Sequence, residues 1–397
     1  MGTGELGRKA RRAETEEPRQ WGVYVHIPFC RQKCFYCDFP SYAGRERYEE
    51  AYIGALCGEL AREGARYRAQ WGAPATLYIG GGTPSVLPLP LMERLIAALQ
   101  GVLFDGGTTE EATVECNPGT VTPEGLSLLH DYGVNRLSFG VQTFDDALLA
   151  RIGRIHTARD VRRGLAWARA AGFANISMDL IYGLPGETLA AFRHDLEVMT
   201  ALAPEHISVY GLQVEDGTPF ARWQEEGGLA LPSEEESEAM YDLMVAYLPA
   251  KGYARYEISN FARAGFASRH NLSYWQDVPY LGLGAAAHSY LDGVRYANTA
   301  DLDAYCKGAE TGAARHIEEP STRKNQMEEF AFLALRTAAG ISRARFAKKF
   351  GVTLASVYAE PIQKLRKKGL LEETPTHVRL TPLGMKWGNL AFEAFLL

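Results

Sequence analysis

Three cysteines crowd into eight positions near the start of the chain: Cys30, Cys34 and Cys37. The short spacings allow one loop to fold around a small metal centre. A structural zinc site is normally closed by four ligands, usually from two such motifs, and the chain has no second one. Three thiolates instead suit a cubane iron–sulfur cluster that leaves one iron open. The alternatives are a redox pair, Cys34 with Cys37, and three small buried residues.

A run of glycines forms a second candidate site. Gly80, Gly81 and Gly82 precede Thr83 and Pro84 at the end of a predicted strand. Glycines allow backbone amides and carbonyls to approach a ligand without hindrance from side chains. A tight turn into the next helix is a simpler explanation that is compatible with ligand binding.

Short apolar runs typical of strands alternate with helical patterns along the first 210 residues. Strands are predicted over 23–27, 76–79, 112–116, 136–139, 175–180 and 207–210. Helices are predicted over 47–66 and 91–99, and a further one begins at Pro123 after a Thr122 cap. This rhythm is typical of parallel βα units and predicts an α/β barrel or part-barrel. In such barrels the ligand site lies at the carboxyl ends of the strands.

The last quarter of the chain has a different charge. Residues 321–397 contain 13 Lys and Arg against 6 Glu, a net charge of +7, which leaves −13 for residues 1–320. Helices predicted over 326–336, 342–350 and 354–368, with a strand over 378–380, suggest a small, mostly helical, winged-helix-like domain. Such a domain either binds nucleic acid or packs on the acidic barrel; we favour packing. The predicted organisation is a flexible leader (1–20), a barrel (21–300) and this domain (301–397).

Composition excludes several classes of protein. Of the 397 residues, 46% are hydrophobic and 23% are charged, which is typical of globular chains rather than disordered or fibrous ones. The net charge of −6 is too small to favour general adhesion to nucleic acid. No run approaches the roughly 18 apolar residues that a membrane span needs. We therefore expect a cytoplasmic protein that does not bind nucleic acid.

The cysteine motif, Cys-x3-Cys-x2-Cys after a first strand, resembles that of the radical S-adenosylmethionine (SAM) superfamily. The surrounding string YVHIPFC is similar to the branch of oxygen-independent coproporphyrinogen III oxidases. This resemblance implies a partial (β/α)6 barrel, a 4Fe–4S cluster on the three cysteines, and SAM on the open iron. In that superfamily, reduction of the cluster leads to cleavage of SAM to methionine and a 5′-deoxyadenosyl radical.

The resemblance also implies the residues that contact SAM. VECNP, GVQTF, RIGRIH and SMDLIYGLPGET match strings of the family at the predicted strand ends, and they supply the acceptors and the arginine that the ammonium, carboxylate and ribose of SAM need. The full expected set is Tyr24, Tyr36, Gly81, Gly82, Thr83, Glu115, Gln142, Arg154, Asp179 and Gln213. The sequence does not assign individual groups of SAM to these residues, and it identifies no catalytic residue.

Two features distinguish the chain within this branch. The oxidases carry a further cysteine two places after the motif, where this chain has Phe39. The string from His270 to Trp275, HNLSYW, matches the HNxxYW motif of the HemW family of haem chaperones. Neutral imidazole is a good iron ligand, and aromatic rings can cover a porphyrin face, so His270, Tyr274 and Trp275 are candidate haem contacts. The alternative is that Tyr274 and Trp275 pack under the barrel while His270 forms a hydrogen bond with a loop carbonyl.

We therefore predict a haem chaperone on a radical SAM scaffold. Its cofactors would be the cluster and SAM, with haem as cargo. Its partners would be haem or a related porphyrin, acceptor haem proteins including respiratory ones, and an electron donor if SAM is cleaved. Transient contact with a membrane fits the respiratory acceptors. The alternative is an enzyme, either an anaerobic coproporphyrinogen III dehydrogenase or a class C methyltransferase with a heteroaromatic substrate.

Overall fold

The computed structural model describes residues 20–318 and 321–397. The predicted flexible leader, 1–20, falls outside the described residues except for its last position. The strands are β1 Gly22–Ile27, β2 Phe29–Cys30, β3 Tyr42–Ala43, β4 Thr76–Gly81, β5 Glu111–Cys116, β6 Arg136–Gln142, β7 Ile176–Tyr182, β8 His206–Gly211, β9 Ala254–Arg255, β10 Asn260–Ala262, β11 Tyr280–Leu283, β12 His288–Leu291, β13 Val294–Asn298, β14 Arg315–Ile317, β15 Ile341–Ser342, β16 Leu371–Glu373 and β17 His377–Leu380.

The fold is built on one large β-sheet of twelve strands. Its strand order is β14-β13-β12-β11-β1-β4-β5-β6-β7-β8-β10-β9. The neighbours from β11 through β8 are parallel, and the outer strands at both edges are antiparallel. Because the order has two open ends, the sheet is a part-barrel and not a closed barrel. The six predicted strands are β1 and β4 to β8, so the predicted partial (β/α)6 barrel is confirmed.

Helices connect the parallel strands and cover the sheet. They are α1 Glu49–Glu59, α2 Ala65–Trp71, α3 Leu89–Leu99, α4 Pro123–Asp131, α5 Asp146–Arg151, α6 Ala158–Ala170, α7 Leu189–Leu202, α8 Pro219–Glu225, α9 Glu234–Ala250, α10 Arg269–Trp275, α11 Leu302–Gly308, α12 Arg323–Leu335, α13 Arg343–Phe350, α14 Leu354–Lys367, α15 Pro382–Lys386 and α16 Gly388–Glu393. As predicted, Thr122 caps α4, and its hydroxyl accepts a hydrogen bond from the Gly125 amide at 3.1 Å. Apolar side chains of β1 and β4, including Val23, Val25 and Ile79, are fully buried in the core.

A second, smaller core lies within residues 321–397. It joins side chains from Met327 to Phe395 across α12 to α16 and the three-stranded sheet β15-β17-β16. Three of these helices, α12 to α14, with the small antiparallel sheet match the predicted winged-helix-like domain. Residues of α11, such as Tyr305, still belong to the core of the barrel.

The basic C-terminal domain contacts acidic residues of the barrel. Lys386 forms ion pairs with Glu238 at 2.6 Å and Asp242 at 2.7 Å, both on α9. Lys349 of α13 pairs with Asp277, which follows α10. The opposite charges of the two regions therefore meet at their interface, as expected for a packing domain. None of the described helices is both long and apolar enough to cross a bilayer.

Candidate functional site

A cavity of about 1270 Å³ opens at the carboxyl ends of the parallel strands. It brings together nearly all of the residues that the sequence singled out for the cluster and SAM. The lining includes Cys30, Cys34, Cys37, Tyr36, Gly81, Gly82, Thr83, Glu115, Gln142, Arg154, Asp179 and Gln213. Tyr24 is not part of the lining. It lies behind Tyr78, which does line the cavity and whose ring stacks on that of Tyr24 at 6.2 Å.

Aromatic packing anchors the cysteine loop, which we define as residues 30–37. The Phe35 ring lies against Trp223 of α8 at 5.1 Å, and Gly153 leaves room for it. The Phe35 amide donates to the Ile152 carbonyl, and the Phe35 carbonyl accepts from the Phe220 amide, each at 3.1 Å. These contacts tie the loop to the segment after α5 and to α8, so the thiols are positioned by tertiary packing.

Polar groups surround the thiols. The Cys30 Sγ lies 3.5 Å from the Thr83 hydroxyl, and the Arg154 guanidinium donates to the Cys34 Sγ at 3.4 Å. A second nitrogen of Arg154 donates to the Gly140 carbonyl at 2.6 Å, which fixes the guanidinium in place. Burial raises the pKa of the Cys30 and Cys37 thiols above the usual value. In the absence of a metal, both thiols therefore favour the neutral form at pH 7.

The residues around the cavity fit a cluster with an open iron. A cubane cluster binds each thiolate through a different iron, so it requires three thiols around one cavity. Within 20–318 and 321–397, no three His, Cys, Asp or Glu side chains meet at a position for a single metal ion. The Nε of buried Arg154 has no hydrogen-bond partner, and its positive charge suits a thiolate-bound cluster. If these residues hold such a cluster, it would supply one-electron chemistry when reduced.

The glycine motif is hydrogen-bonded to the strand that leads into the cysteine loop. The Gly82 amide donates to the Ile27 carbonyl, and the Thr83 amide to the Phe29 carbonyl, each at 2.8 Å. A Cβ at Gly82 would lie 2.7 Å from the Phe29 oxygen and 2.9 Å from the Ile27 oxygen. Gly81 has a φ of +110°, which favours glycine. The motif therefore has a structural role in holding the loop, in addition to the predicted role in SAM binding.

Glu115 lies in the cavity beneath the glycine motif. Its Oε1 accepts from the Tyr78 hydroxyl at 2.7 Å, and its Oε2 accepts from the Gly81 amide at 3.0 Å. Burial raises the pKa of Glu115 to about 7, although these two hydrogen bonds act in the opposite direction. The side chain can accordingly gain or lose a proton near neutral pH.

This raised pKa predicts a pH dependence of stability for the cofactor-free protein. Between pH 4.5 and about 7 the unfolded chain has already lost the Glu115 proton while the folded chain keeps it, so stability falls as pH rises. We expect the Glu115→Gln variant to lack this loss, which amounts to about 3 kcal/mol. Denaturant unfolding at pH 5 and pH 8 measures the difference. The exposed Glu225→Gln variant is the control, and equal pH slopes for all three proteins would contradict the prediction.

Asp179 lies among serines from three adjacent strands. Its carboxylate accepts from the hydroxyls of Ser138 and Ser177, each at 3.3 Å, and Ser208 is a further partner. Burial raises the pKa of Asp179, and these hydrogen bonds oppose the shift. The serines and Tyr78 were not among the residues predicted from the sequence. The sequence feature that could have identified them is a polar residue at every second position of an otherwise apolar strand. Alternate residues share one face of a sheet, so these polar side chains lie together on the inner face.

Gln142 has a backbone conformation that is unusual outside glycine, with a φ of +69°. The register of β6 against β7 shifts between Gly140 and Gln142, so a bulge ends the pairing there. A Cβ at Gly140 would meet the Gln142 amide at 2.9 Å and the Arg154 guanidinium at 3.2 Å. The bulge thus turns the Gln142 side chain into the cavity beside Arg154.

The candidate haem residues of α10 do not line the cavity. The His270 side chain is 1% exposed, and both of its ring nitrogens are engaged. Nδ1 lies 2.8 Å from the Thr76 hydroxyl, and Nε2 lies 2.8 Å from the Tyr274 hydroxyl. Burial lowers the pKa of His270 to about 3, so the ring is neutral. As placed, His270 has no free nitrogen for an iron, and its role as a haem ligand stays a prediction.

Instead, α10 packs between Tyr78 at the cavity and the C-terminal domain. The His270 ring stacks on Tyr78 at 5.1 Å, and Tyr78 is the donor to Glu115. On the other side, the Arg336 guanidinium of the C-terminal domain lies 4.5 Å from the Trp275 ring. Trp275 is partly exposed, but its Nε1 is buried and has no hydrogen-bond partner. These contacts agree with the packing alternative for Tyr274 and Trp275, while His270 contacts side-chain hydroxyls instead of a loop carbonyl.

Two sequence profiles match the chain. One is described as the Radical SAM superfamily and covers residues 24–199. The other is described as the HemN C-terminal domain and covers residues 321–387. The first range spans β1 to β7 with the cysteine loop, and the second range spans most of the second core.

Curated proteins are similar over almost the whole chain. The haem chaperone HemW of Bacillus subtilis is 41% identical over 377 residues, which are 94% of this chain and 98% of that protein. HemW of Escherichia coli is 32% identical over 383 residues, 94% of this chain and 97% of that protein. Among solved structures, coproporphyrinogen III oxidase (HemN) from E. coli superposes with a TM-score of 0.81 at 24% identity, over 96% of this chain and 91% of that one. This last similarity concerns the fold alone.

Proposed function

Because the chain belongs to the HemW family of the radical SAM superfamily, we propose that it is a haem chaperone, which binds haem and delivers it to acceptor haem proteins. The observation that carries the proposal is the identity of 41% with a curated haem chaperone over 94% of the chain. Phe39 adds support, since the related oxidases have a cysteine at this position. Its side chain lines the cavity, where it offers an apolar surface.

We propose that the scaffold retains its cofactors. Cys30, Cys34 and Cys37 would hold a 4Fe–4S cluster, and SAM would bind its open iron. The likeness to the superfamily and the shared cavity both support this assignment. Glu115, Asp179, Gln142 and Arg154 would hold the polar groups of SAM, with contributions from Tyr36, Gly81, Gly82, Thr83 and Gln213, while Tyr24 would act through Tyr78. An electron donor is needed only if SAM is cleaved.

Haem titration of the purified protein, followed by transfer, tests the chaperone function. We expect saturable binding, and a rise in acceptor activity when the loaded protein is mixed with an apo haem protein such as a respiratory cytochrome. Absence of saturable binding in the wild type would contradict the proposal. Product analysis tests the enzymatic alternative. Decarboxylation of coproporphyrinogen or methylation of a substrate by the reduced, reconstituted protein would favour an enzyme over the chaperone.

The His270→Ala variant tests the haem contact predicted for α10. If His270 binds the iron, the haem absorbance spectrum changes and affinity falls. If it only packs against Tyr78 and Tyr274, haem affinity and spectrum stay as in the wild type, whereas SAM affinity falls because Tyr78 supports Glu115. Measurement of both ligands on the same preparation separates the two roles.

A further inference from the structure

The polar and aromatic side chains of α10 form two pairs, each on one face of the helix. His270 and Tyr274 lie one turn apart and are hydrogen-bonded to each other at 2.8 Å. Asn271 and Trp275 have the same spacing, so they share the neighbouring face. Asn271 lines the cavity. The first pair is therefore directed toward Tyr78, whereas the second pair occupies the face of α10 that is turned toward the cavity.

The C-terminal domain adds an arginine to this second face. Arg336 directly follows α12, which contacts α10, and its guanidinium lies over the Trp275 ring at 4.5 Å. The Phe392 ring of α16 is 5.9 Å from the same guanidinium. Arg336 also lines the cavity, as Asn271 does. A guanidinium that lies over an aromatic ring keeps the N–H groups at its edge available for a second partner.

The positive charge of Arg336 is only weakly compensated by the protein. Its Nε is buried and has no hydrogen-bond partner. Burial lowers the pKa of Arg336 below its usual value, and the Glu257 carboxylate opposes this shift. That carboxylate is engaged elsewhere, because its Oε1 accepts from the Ser259 amide at 2.7 Å. A further carboxylate beside Arg336 would therefore be stabilised by charge-assisted hydrogen bonds.

Haem is a flat ligand that carries two carboxylates, and the sequence predicts that it contacts α10. We infer that Arg336 orients this haem by binding one of its carboxylates, so that α10 and the C-terminal domain share the haem site. The inference rests on the proposed function, which identifies haem as the cargo, and it is independent of which atom binds the iron. SAM also carries a carboxylate, but the arginine predicted to contact SAM is Arg154, which lies beside the Cys34 sulfur.

Two variants and two porphyrins test this role. Full-length wild type, Arg336→Gln and Arg336→Lys are each titrated with iron protoporphyrin IX and with its dimethyl ester, which has no free carboxylate, and binding is followed by absorbance. We expect the wild type to bind haem about tenfold or more tightly than the ester. Arg336→Gln should lose most of this preference, with weaker haem binding and unchanged ester binding. Arg336→Lys should restore part of it, because lysine keeps the positive charge without the bidentate geometry.

Arg366→Gln is the matched control. Arg366 of α14 also belongs to the C-terminal domain and pairs with Glu373 at 2.7 Å, but it does not line the cavity. Its affinities for haem and for the ester should equal those of the wild type. SAM affinity, measured on the same preparations, should be unchanged in Arg336→Gln, because the SAM carboxylate has its predicted partner in Arg154.

The outcomes separate this inference from the proposed function. Saturable haem binding in the wild type that is unchanged in Arg336→Gln overturns the role of Arg336 and leaves the chaperone function standing. Equal affinity of the wild type for haem and ester does the same. So does an equal loss of both affinities in Arg336→Gln, since mere packing against Trp275 does not distinguish the two porphyrins. Reduced SAM affinity with unchanged haem affinity would assign Arg336 to SAM instead. A wild type without saturable haem binding overturns the function and the inference together.

Discussion

Replacement of Cys34 by serine is expected to abolish the iron–sulfur cluster. After anaerobic reconstitution, the wild type should hold about four iron atoms per chain, as a 4Fe–4S cluster requires, and the variant close to none. The physical reason is that the cysteine loop supplies three thiols, so the loss of one leaves two ligands for a cluster that already has one open iron. The Arg154 guanidinium, 3.4 Å from the Cys34 Sγ, would also lose its sulfur partner.

Iron and sulfide counting, together with absorbance near 400 nm, measures this loss. Cys57→Ser is the control, because Cys57 is a partly buried free thiol on α1 that does not line the cavity. The control should keep the full iron content. Equal iron content in Cys34→Ser and the wild type would contradict the assignment of the cysteine motif as the ligand of the cluster. Zinc in place of iron in the wild type would overturn the cluster itself.

The sequence predicts those parts of the fold that depend on local pattern. The six predicted strands, β1 and β4 to β8, lie within a few residues of their predicted ranges, because buried parallel strands are largely apolar runs. The seventh parallel strand, β11, was not predicted. The Thr122 cap was also predictable, because a capping residue bonds to its own helix and so depends only on the local sequence. The cysteine, glycine and acidic residues of the site follow from strand ends, which meet at one edge of a parallel sheet.

Contacts between distant segments could not be predicted in this way. Nothing near Phe35 indicates that Trp223 will hold its ring, because the two meet only through the folding of the strands between them. The same holds for Trp387, which reaches the cavity through the docking of the C-terminal domain on α9. His270 is the opposite case, since its motif suggested iron binding, whereas the partners that occupy its nitrogens include Thr76, almost 200 positions away.

Substitution of Gly82 by alanine is expected to disrupt the site through the backbone. The added Cβ would lie within 3.0 Å of three backbone atoms of β1 and β2: the Phe29 oxygen, the Ile27 oxygen and the Phe29 nitrogen. Backbone atoms of a buried sheet cannot move aside as the end of a flexible side chain can. The loop must therefore shift, which breaks the hydrogen bonds from Gly82 to Ile27 and from Thr83 to Phe29.

We expect the Gly82→Ala variant to lose about 2–4 kcal/mol of unfolding free energy, since overpacking and two broken hydrogen bonds both contribute. Because Thr83 contacts the Cys30 sulfur, iron content after reconstitution should fall as well. Gly101→Ala is the matched control, as nothing lies within 4 Å of a Cβ there, and its stability should rise by up to about 1 kcal/mol. Denaturant unfolding and iron counting on both variants test these expectations. If Gly82→Ala were as stable as Gly101→Ala and held as much iron, the glycine motif would have no structural role in the cysteine loop.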